Sequence, residues 1–323
     1  MPNAAPHPTP HPTHPLIDPA LDLLTSNYIF PDKAATLAAD IRARLAAGDF
    51  ADLDDATLGE KITALFHEHT GDKHLRLRPI ANPGEQTPSD AEAEAAWEAH
   101  MGRTNHGIAQ VTRLPGNIGL IALTNVTTAP GASAIGAAMA LVANTNALIF
   151  DNRENRGGSP DGVQIWHSHL FPDAETHLSD TYNGSTSETK QYWTLPTVPG
   201  PRYLGKPIWN LTSAATFSAG EEFTYNLKAL GRATTIGETT RGGAHPTQFF
   251  GLTPTMEITI PVARSINPVT KTNWEGVGIA PDIAVPAEQA YDLAYKAALE
   301  HVLASGPHPA TATEAKEALA KLA

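Results

Sequence analysis

Pro207-Ile208-Trp209-Asn210-Leu211-Thr212-Ser213-Ala214-Ala215-Thr216-Phe217-Ser218-Ala219-Gly220-Glu221-Glu222 is the stretch that decides how this chain folds. Its opening run, Pro207 to Leu211, is apolar and short, as one buried strand would be. Small and hydroxylated residues follow. Then Phe223, Leu227 and Leu230 recur at helical spacing until Gly231 breaks the pattern. Ser218 is therefore expected where a strand turns into a helix N-terminus. Unpaired backbone N–H groups and the positive end of the helix dipole converge at such a point. They can hold the negative charge that develops in acyl transfer, which makes Ser218 a candidate nucleophile. The same residues also read as a simple helix cap, because Ser218-Ala219-Gly220-Glu221 has the Ser-x-x-Glu spacing of a capping box. Gly-x-Ser-x-Gly fails here, since Thr216 occupies the first glycine position. Ser-x-x-Lys fails because Glu221 stands where the lysine would be.

Strands and helices alternate on both sides of this stretch. Strands are expected over 118–123, 147–151, 208–211, 234–237 and 257–266, and helices over 132–142, 163–171, 218–230 and 287–303. That alternation predicts a right-handed βαβ sheet, placing an α/β domain over 114–305. Upstream, Leu21/Leu24/Tyr28, Leu37/Ile41/Leu45 and Leu58/Ile62/Leu65/Phe66 mark three amphipathic helices, so a small helical bundle is expected over 16–80. Residues 1–15 are rich in Pro, His and Thr without periodicity and read as a disordered tail. The span 81–113 reads as a Pro/Gly/Ser-type linker followed by an Ala/Glu-rich helix, and 306–323 as a loosely helical C-terminal tail.

The chain has 323 residues, 41% hydrophobic, which suits one large domain with a smaller one. No apolar run approaches the ~18–20 residues of a membrane-spanning helix, so no membrane partner is expected. A net charge of −12 argues against nucleic acid or an anionic membrane surface as the main partner. With 0 cysteines there is no disulfide framework, no thiolate metal site and no cysteine nucleophile. The N-terminus lacks a basic region followed by an apolar core, so a cytoplasmic protein without a secretory signal is expected. His167-Ser168-His169 resembles a metal pair but has no third ligand at a telling spacing, so it reads as structural. No metal and no cofactor are expected.

Two further loops carry chemistry. Asp151-Asn152-Arg153-Glu154-Asn155-Arg156-Gly157-Gly158 ends a buried strand, where paired glycines let the backbone approach a ligand and present N–H donors. Sites in α/β sheets gather at carboxyl ends of strands, so this loop and Ser218 are expected to face one another. A nucleophilic serine also needs a base. Among 14 histidines, His74 lies between the third helix and a short alternating strand, and His245 lies in a glycine-rich loop, Arg241-Gly242-Gly243-Ala244-His245-Pro246. Either can serve, and either can be a turn residue. Glu275, in Asn273-Trp274-Glu275-Gly276-Val277-Gly278-Ile279-Ala280-Pro281-Asp282, can orient a base or bind a peptide amine, or be a solvated loop carboxylate.

Taken together, these motifs resemble the tail-specific, or C-terminal processing, serine protease family. The residues that carry the resemblance are Asp151-x-Arg153-x-Asn155-x-Gly157-Gly158, Thr216-Phe217-Ser218-Ala219-x-Glu221, Gly231-Arg232-Ala233-Thr234-x-x-Gly237-Glu238, Gly242-Gly243-Ala244-His245-Pro246 and Glu275-Gly276-Val277-Gly278-x-x-Pro281-Asp282. The resemblance implies an α/β fold, a ClpP/crotonase-like β-α spiral core with a small N-terminal helical bundle. Dyad members of the family carry lysine where this chain has Gly243, and the span after the bundle is too short for a PDZ domain of ordinary size. Both departures resemble the branch of tricorn protease and the modules of interphotoreceptor retinoid-binding protein. That branch implies His74 as base and Glu275 as its support, with Lys73 standing where tricorn has a serine. It implies a serine-type peptidase acting on a peptide or protein: Ser218 attacks, and backbone N–H groups of Gly157 or Gly158 and of Ala219 bind the oxyanion. His245 is the alternative base. The competing readings are a non-catalytic module that binds an apolar small molecule of the retinoid or fatty-acid kind, and an acyl-transfer enzyme of a biosynthetic pathway.

Overall fold

The computed structural model of the protein describes residues 14–80, 90–172 and 175–322. Of the tail expected over 1–15, residues 1–13 lie outside those residues, as does the linker expected over 81–89. The chain opens with α1 (Ile17–Asn27), α2 (Pro31–Ala47), α3 (Asp55–Thr70) and β1 (Arg76–Pro79). It continues through α4 (Asp90–Arg103), β2 (Ile108–Leu114), β3 (Ile118–Leu123), α5 (Ala132–Val142), β4 (Ala147–Asp151) and α6 (Pro160–Ser168). Then come β5 (His177–Asn183), β6 (Thr189–Trp193), β7 (Ile208–Thr212), α7 (Ala219–Ala229) and β8 (Thr234–Gly237). The last elements are β9 (Thr247–Gly251), β10 (Met256–Pro261), β11 (Ala263–Ile266), β12 (Ile283–Ala284), α8 (Ala287–Ala304) and α9 (Pro309–Lys321).

These elements form two compact units. A helical unit holds the described residues up to 80 with the returning segments Asn183–Glu188 and Pro246–Arg264. A sheet unit holds Pro88–Tyr182, Thr189–His245 and Ser265–Ala323. In the helical unit, Leu24, Leu37, Ile41, Leu58 and Phe66 are sealed from solvent, as their helical spacing predicts. Pro31 opens α2, and Gly48, at φ 87, closes it. Asp54 caps α3 by accepting the Thr57 N–H at 2.7 Å. The same unit contains an antiparallel sheet in the order β1-β10-β9, with Leu77 opposite Ile258 and Ile258 opposite Phe250. The single strand expected over 257–266 is thus two. Its break falls after Pro261, which has no N–H to continue a ladder.

The sheet unit is built on six strands in the order β12-β8-β7-β4-β3-β2. All neighbours are parallel except the edge pair β2–β3. Both faces are covered, so its strands read as apolar runs. Alternate residues go to opposite cores. Leu148, Phe150 and Ile208 pack with Phe223 and Leu227 of α7 on one face. Ile149, Trp209 and Leu211 pack with Ala294, Ala298 and Leu299 of α8 on the other. Each buried leucine, isoleucine or phenylalanine side chain among these contributes ~1.5–3 kcal/mol by leaving water. Ala315 and Ala318 of α9 are buried in that second core, so the span expected as a loose tail is a packed helix. The consequence for the site is simple. The carboxyl ends of β4 and β7, adjacent strands paired at Asp151 and Leu211, deliver the 152–158 loop and the 213–218 turn side by side.

Candidate active site

Ser218 links the end of β7 to the first turn of α7. Its backbone sits at φ 55 and ψ −125. An ordinary N-cap is extended, with negative φ. This residue is instead forced through a sharp turn that costs a non-glycine residue ~1–3 kcal/mol. Glu221 accepts the Ser218 N–H at 3.0 Å, so the glutamate half of the expected capping box is present. Ser213, at the strand end, is committed elsewhere: its Oγ donates to the Arg153 carbonyl at 2.6 Å and accepts the Ala215 N–H at 3.0 Å.

The glycine loop lies directly against the serine. A Cβ on Gly157, at φ 100, would stand 2.6 Å from Ser218 Cβ and 3.0 Å from Ala219 N, so only glycine fits. The Gly157 N–H, however, donates to Asn155 Oδ1 at 3.0 Å. It is spent within the loop, which narrows the expected oxyanion donors. Among the described residues, the N–H groups of Gly158 and Ala219 have no hydrogen-bond partner.

A buried amide chain holds the loop, and sequence reasoning missed it. Asn155 Nδ2 donates to Asn152 Oδ1 at 2.8 Å, Asn152 Nδ2 to Asn210 Oδ1 at 2.6 Å, and Asn210 Nδ2 to Thr224 Oγ1 at 3.0 Å. All three asparagines are sealed from solvent. Buried amides without partners would be costly, and here each has one, so the chain specifies one loop conformation. The available signal was Asn210 itself, a polar residue inside the apolar run Ile208-Trp209-Asn210-Leu211. Arg153 forks onto Asp151 at 2.9 and 2.7 Å and reaches the Ala287 carbonyl at 2.8 Å, tying β4 to α8. The Asp151 carboxylate holds the Arg153 guanidinium above its usual range.

Two more loops meet α7. Glu221, sealed from solvent, accepts from Thr240 Oγ1 at 2.5 Å, Gly242 N at 2.6 Å and Gly243 N at 2.8 Å. Burial pushes its carboxyl above the usual range, and these donors oppose the shift. Glu275 accepts the Ala244 N–H and lies 3.4 Å from His245 Nδ1. Its side chain is only 12% exposed, so it is not a solvated loop carboxylate. The Trp274 indole donates to the Gly243 carbonyl at 2.9 Å. Lys228 points away from Ser218's turn, toward Asp282 at 2.8 Å and the Ala280 carbonyl at 2.7 Å.

The histidines separate by surroundings. In the helical unit, the His74 N–H donates to Asp72 Oδ1 at 3.1 Å and its carbonyl accepts from Thr259 Oγ1 at 2.5 Å. Asp72 is buried and also accepts from Tyr28 Oη at 3.3 Å. His245 belongs to the sheet unit and is 5% exposed. His167 is buried with its ring between the Val163 and Phe223 carbonyls at 2.8 and 3.1 Å, and burial pushes its pKa down to about 4. His169 faces the Pro201 carbonyl at 2.9 Å. Both read as structural, as expected.

Residues 117–285, just over half of the chain, match the model of peptidase family S41. The chain belongs to peptidase family S41. Solved structures share the fold. The photosystem II D1 C-terminal processing protease is 13% identical at a TM-score of 0.54, over 84% of this chain and 93% of that one. A lipoprotein from Streptococcus agalactiae is 14% identical at 0.57, over 93% and 99%. A protein from Parabacteroides merdae is 17% identical at 0.58, over 90% and 97%. The expected tail-specific protease architecture, a β-α spiral core with an N-terminal helical part, is therefore that of this S41 chain. The segment matched to S41 contains Gly157, Gly158, Ser218, Ala219, His245 and Glu275, while His74 precedes it.

Proposed function

We propose that this S41 peptidase is of the serine type, with Ser218 as nucleophile, His74 as general base and Glu275 as the carboxylate that orients the base. The N–H groups of Gly158 and Ala219 form the oxyanion hole. The observation that carries the reading is the Ser218 turn. A simple cap has no need of φ 55 and ψ −125, nor of a glycine loop pressed against its Cβ. In the reaction, Ser218 Oγ attacks the peptide carbonyl and its proton passes to His74. Gly158 and Ala219 hold the oxyanion, the amine leaves with the proton, and water repeats the sequence on the acyl-enzyme.

His245 is the second candidate base, and its 3.4 Å approach to Glu275 favours it. The resemblance to tricorn-like enzymes, however, assigns the base to His74, at the end of the helical segment, and leaves His245 as the alternative. His245 is better read as part of the support of Glu275.

A fluorophosphonate probe tests the proposal. Wild type should be labelled, Ser218→Ala should not, and His74→Ala should be labelled far more slowly, while His245→Ala keeps most of the rate. Labelling that persists in Ser218→Ala would sink the nucleophile assignment. If wild type takes no probe, cleaves nothing in a peptide and ester panel, and binds long-chain apolar molecules at micromolar concentration, the binding-module reading wins.

A further inference from the structure

Three consecutive backbone N–H groups, those of Gly242, Gly243 and Ala244, all point at carboxylates. The first two go to Glu221 and the third to Glu275. Glu221 is also the acceptor for the N–H of Ser218 itself. The division between its oxygens is regular. Oε1 takes Thr240 Oγ1 and Gly242 N, at 2.5 and 2.6 Å, and Oε2 takes Gly243 N and Ser218 N, at 2.8 and 3.0 Å. A carboxylate offers about four lone-pair sites, so this one is saturated by donors alone. A capping box needs one of those contacts.

We propose that Glu221 is a positioning residue for catalysis: its carboxylate fixes the strained backbone of Ser218 to the 242–244 loop, whose next N–H anchors Glu275. The proposal rests on the serine reading above. Through it, nucleophile and supporting carboxylate sit on one hydrogen-bonded frame rather than on two independent loops. The frame lies within the sheet unit. Gly242 must remain small for it, because a Cβ there would stand 2.8 Å from Gly278 N and 3.1 Å from Val277 N in the Glu275 loop.

The chemistry of the acceptors makes Glu221→Gln a sharp test. Glutamine fills the same space but replaces one oxygen by an NH2 donor. Thr240 Oγ1 can turn to accept from that NH2, so the amide nitrogen will settle on the Oε1 side. Gly242 N–H then faces a donor and loses its acceptor. A residue that merely packs would tolerate this isosteric change.

The experiment uses the full chain with a fluorophosphonate probe and residue-resolved amide hydrogen exchange. In Glu221→Gln, the maximal inactivation rate at Ser218 should fall about tenfold or more with probe affinity little changed, and Gly242 should exchange about tenfold faster. An inactivation rate close to wild type would overturn the proposal. Should Glu221→Gln not fold, exchange in wild type decides. Ser218, Gly242 and Gly243 amides should be protected by one shared opening, and open-chain exchange at Gly242 and Gly243 would overturn the tie. A wild type that takes no probe would defeat the serine reading, and the exchange comparison would still decide whether the tie exists.

Discussion

Ser218 keeps its backbone at φ 55 and ψ −125 because its neighbours leave it no alternative: Glu221 holds its N–H and Gly157 lies against its Cβ. Strain of this kind persists only where the surroundings enforce it. Ser218→Ala removes the hydroxyl and keeps the strain, whereas Ser218→Gly removes both. The glycine variant should therefore be more stable than the alanine variant by ~1 kcal/mol, after glycine's extra chain entropy is subtracted. Neither should take a fluorophosphonate. Thermal melts of the pair check this, and a glycine variant that melts below the alanine variant would mean that the turn is relaxed. Gly157→Ala is the converse case. Its new Cβ would meet Ser218 Cβ at 2.6 Å on a backbone at φ 100. The serine or the loop must move, and a displacement near 1 Å at a reacting group costs ~100-fold in rate. The labelling rate of Gly157→Ala measures it, and a rate equal to wild type would show that the close approach is dispensable. The sequence named Ser218 and the glycines because motif spacing marks them. It did not mark Asn152, Asn155 and Asn210, since a buried asparagine and a surface one are spelled alike until the fold surrounds them.

Helix α7 carries more than the nucleophile. Glu222, one turn after Ser218, is buried, and burial pushes its carboxyl from 4.5 up to about 7, with Asp161 adding to the shift and the Ser179 hydroxyl opposing it. His167 of α6, whose ring meets the Phe223 carbonyl, is pushed from 6.5 down to about 4. The two act on stability with opposite signs. Folded Glu222 keeps a proton that the unfolded chain releases, so its stabilisation is present below pH 4.5 and is lost as pH rises through about 7. Folded His167 refuses a proton that the unfolded chain accepts, so its stabilisation is present above pH 6.5 and is lost as pH falls through about 4. Between those limits the slopes oppose one another. Glu222→Gln removes one of them. Relative to wild type, the variant should gain roughly 3 kcal/mol on going from pH 4 to pH 8. Denaturant melts at both pH values test this, and an equal difference at the two would refute it. Elements with strong apolar contrast were legible: β3, α5 and β4 have the expected bounds, since each buries a regular row of large or small apolar residues, and β8, Thr-Thr-Ile-Gly, has them with Ile236 alone as its large apolar residue. β5 and β6 were not expected, because their sequences, His-Leu-Ser-Asp-Thr-Tyr-Asn and Thr-Lys-Gln-Tyr-Trp, are mostly polar and half-exposed. α9 was underrated because its buried residues are alanines, which carry little hydropathy.

The chain as a whole divides its proposed catalytic groups between two units, with His74 in the helical one and Ser218 and Glu275 in the sheet unit. The fold class was legible because alternating strands and helices admit few topologies. The return of Pro246–Arg264 to the helical unit was not, since nothing local in a strand announces which partner it will pair with. The division makes a demanding prediction. A nucleophile and its base act as one device, so removing either costs nearly as much as removing both. Two residues that acted independently would instead contribute losses that multiply. In peptide turnover, Ser218→Ala, His74→Ala and the double variant should therefore show nearly the same residual rate, with circular dichroism unchanged in all three. His245→Ala should fall short of that loss, because it weakens the support of Glu275 without removing the proton acceptor. If His74→Ala turns over like wild type and His245→Ala falls to the level of Ser218→Ala, the base is His245. The helical unit would then take no part in the chemistry, and every catalytic group would lie within the sheet unit.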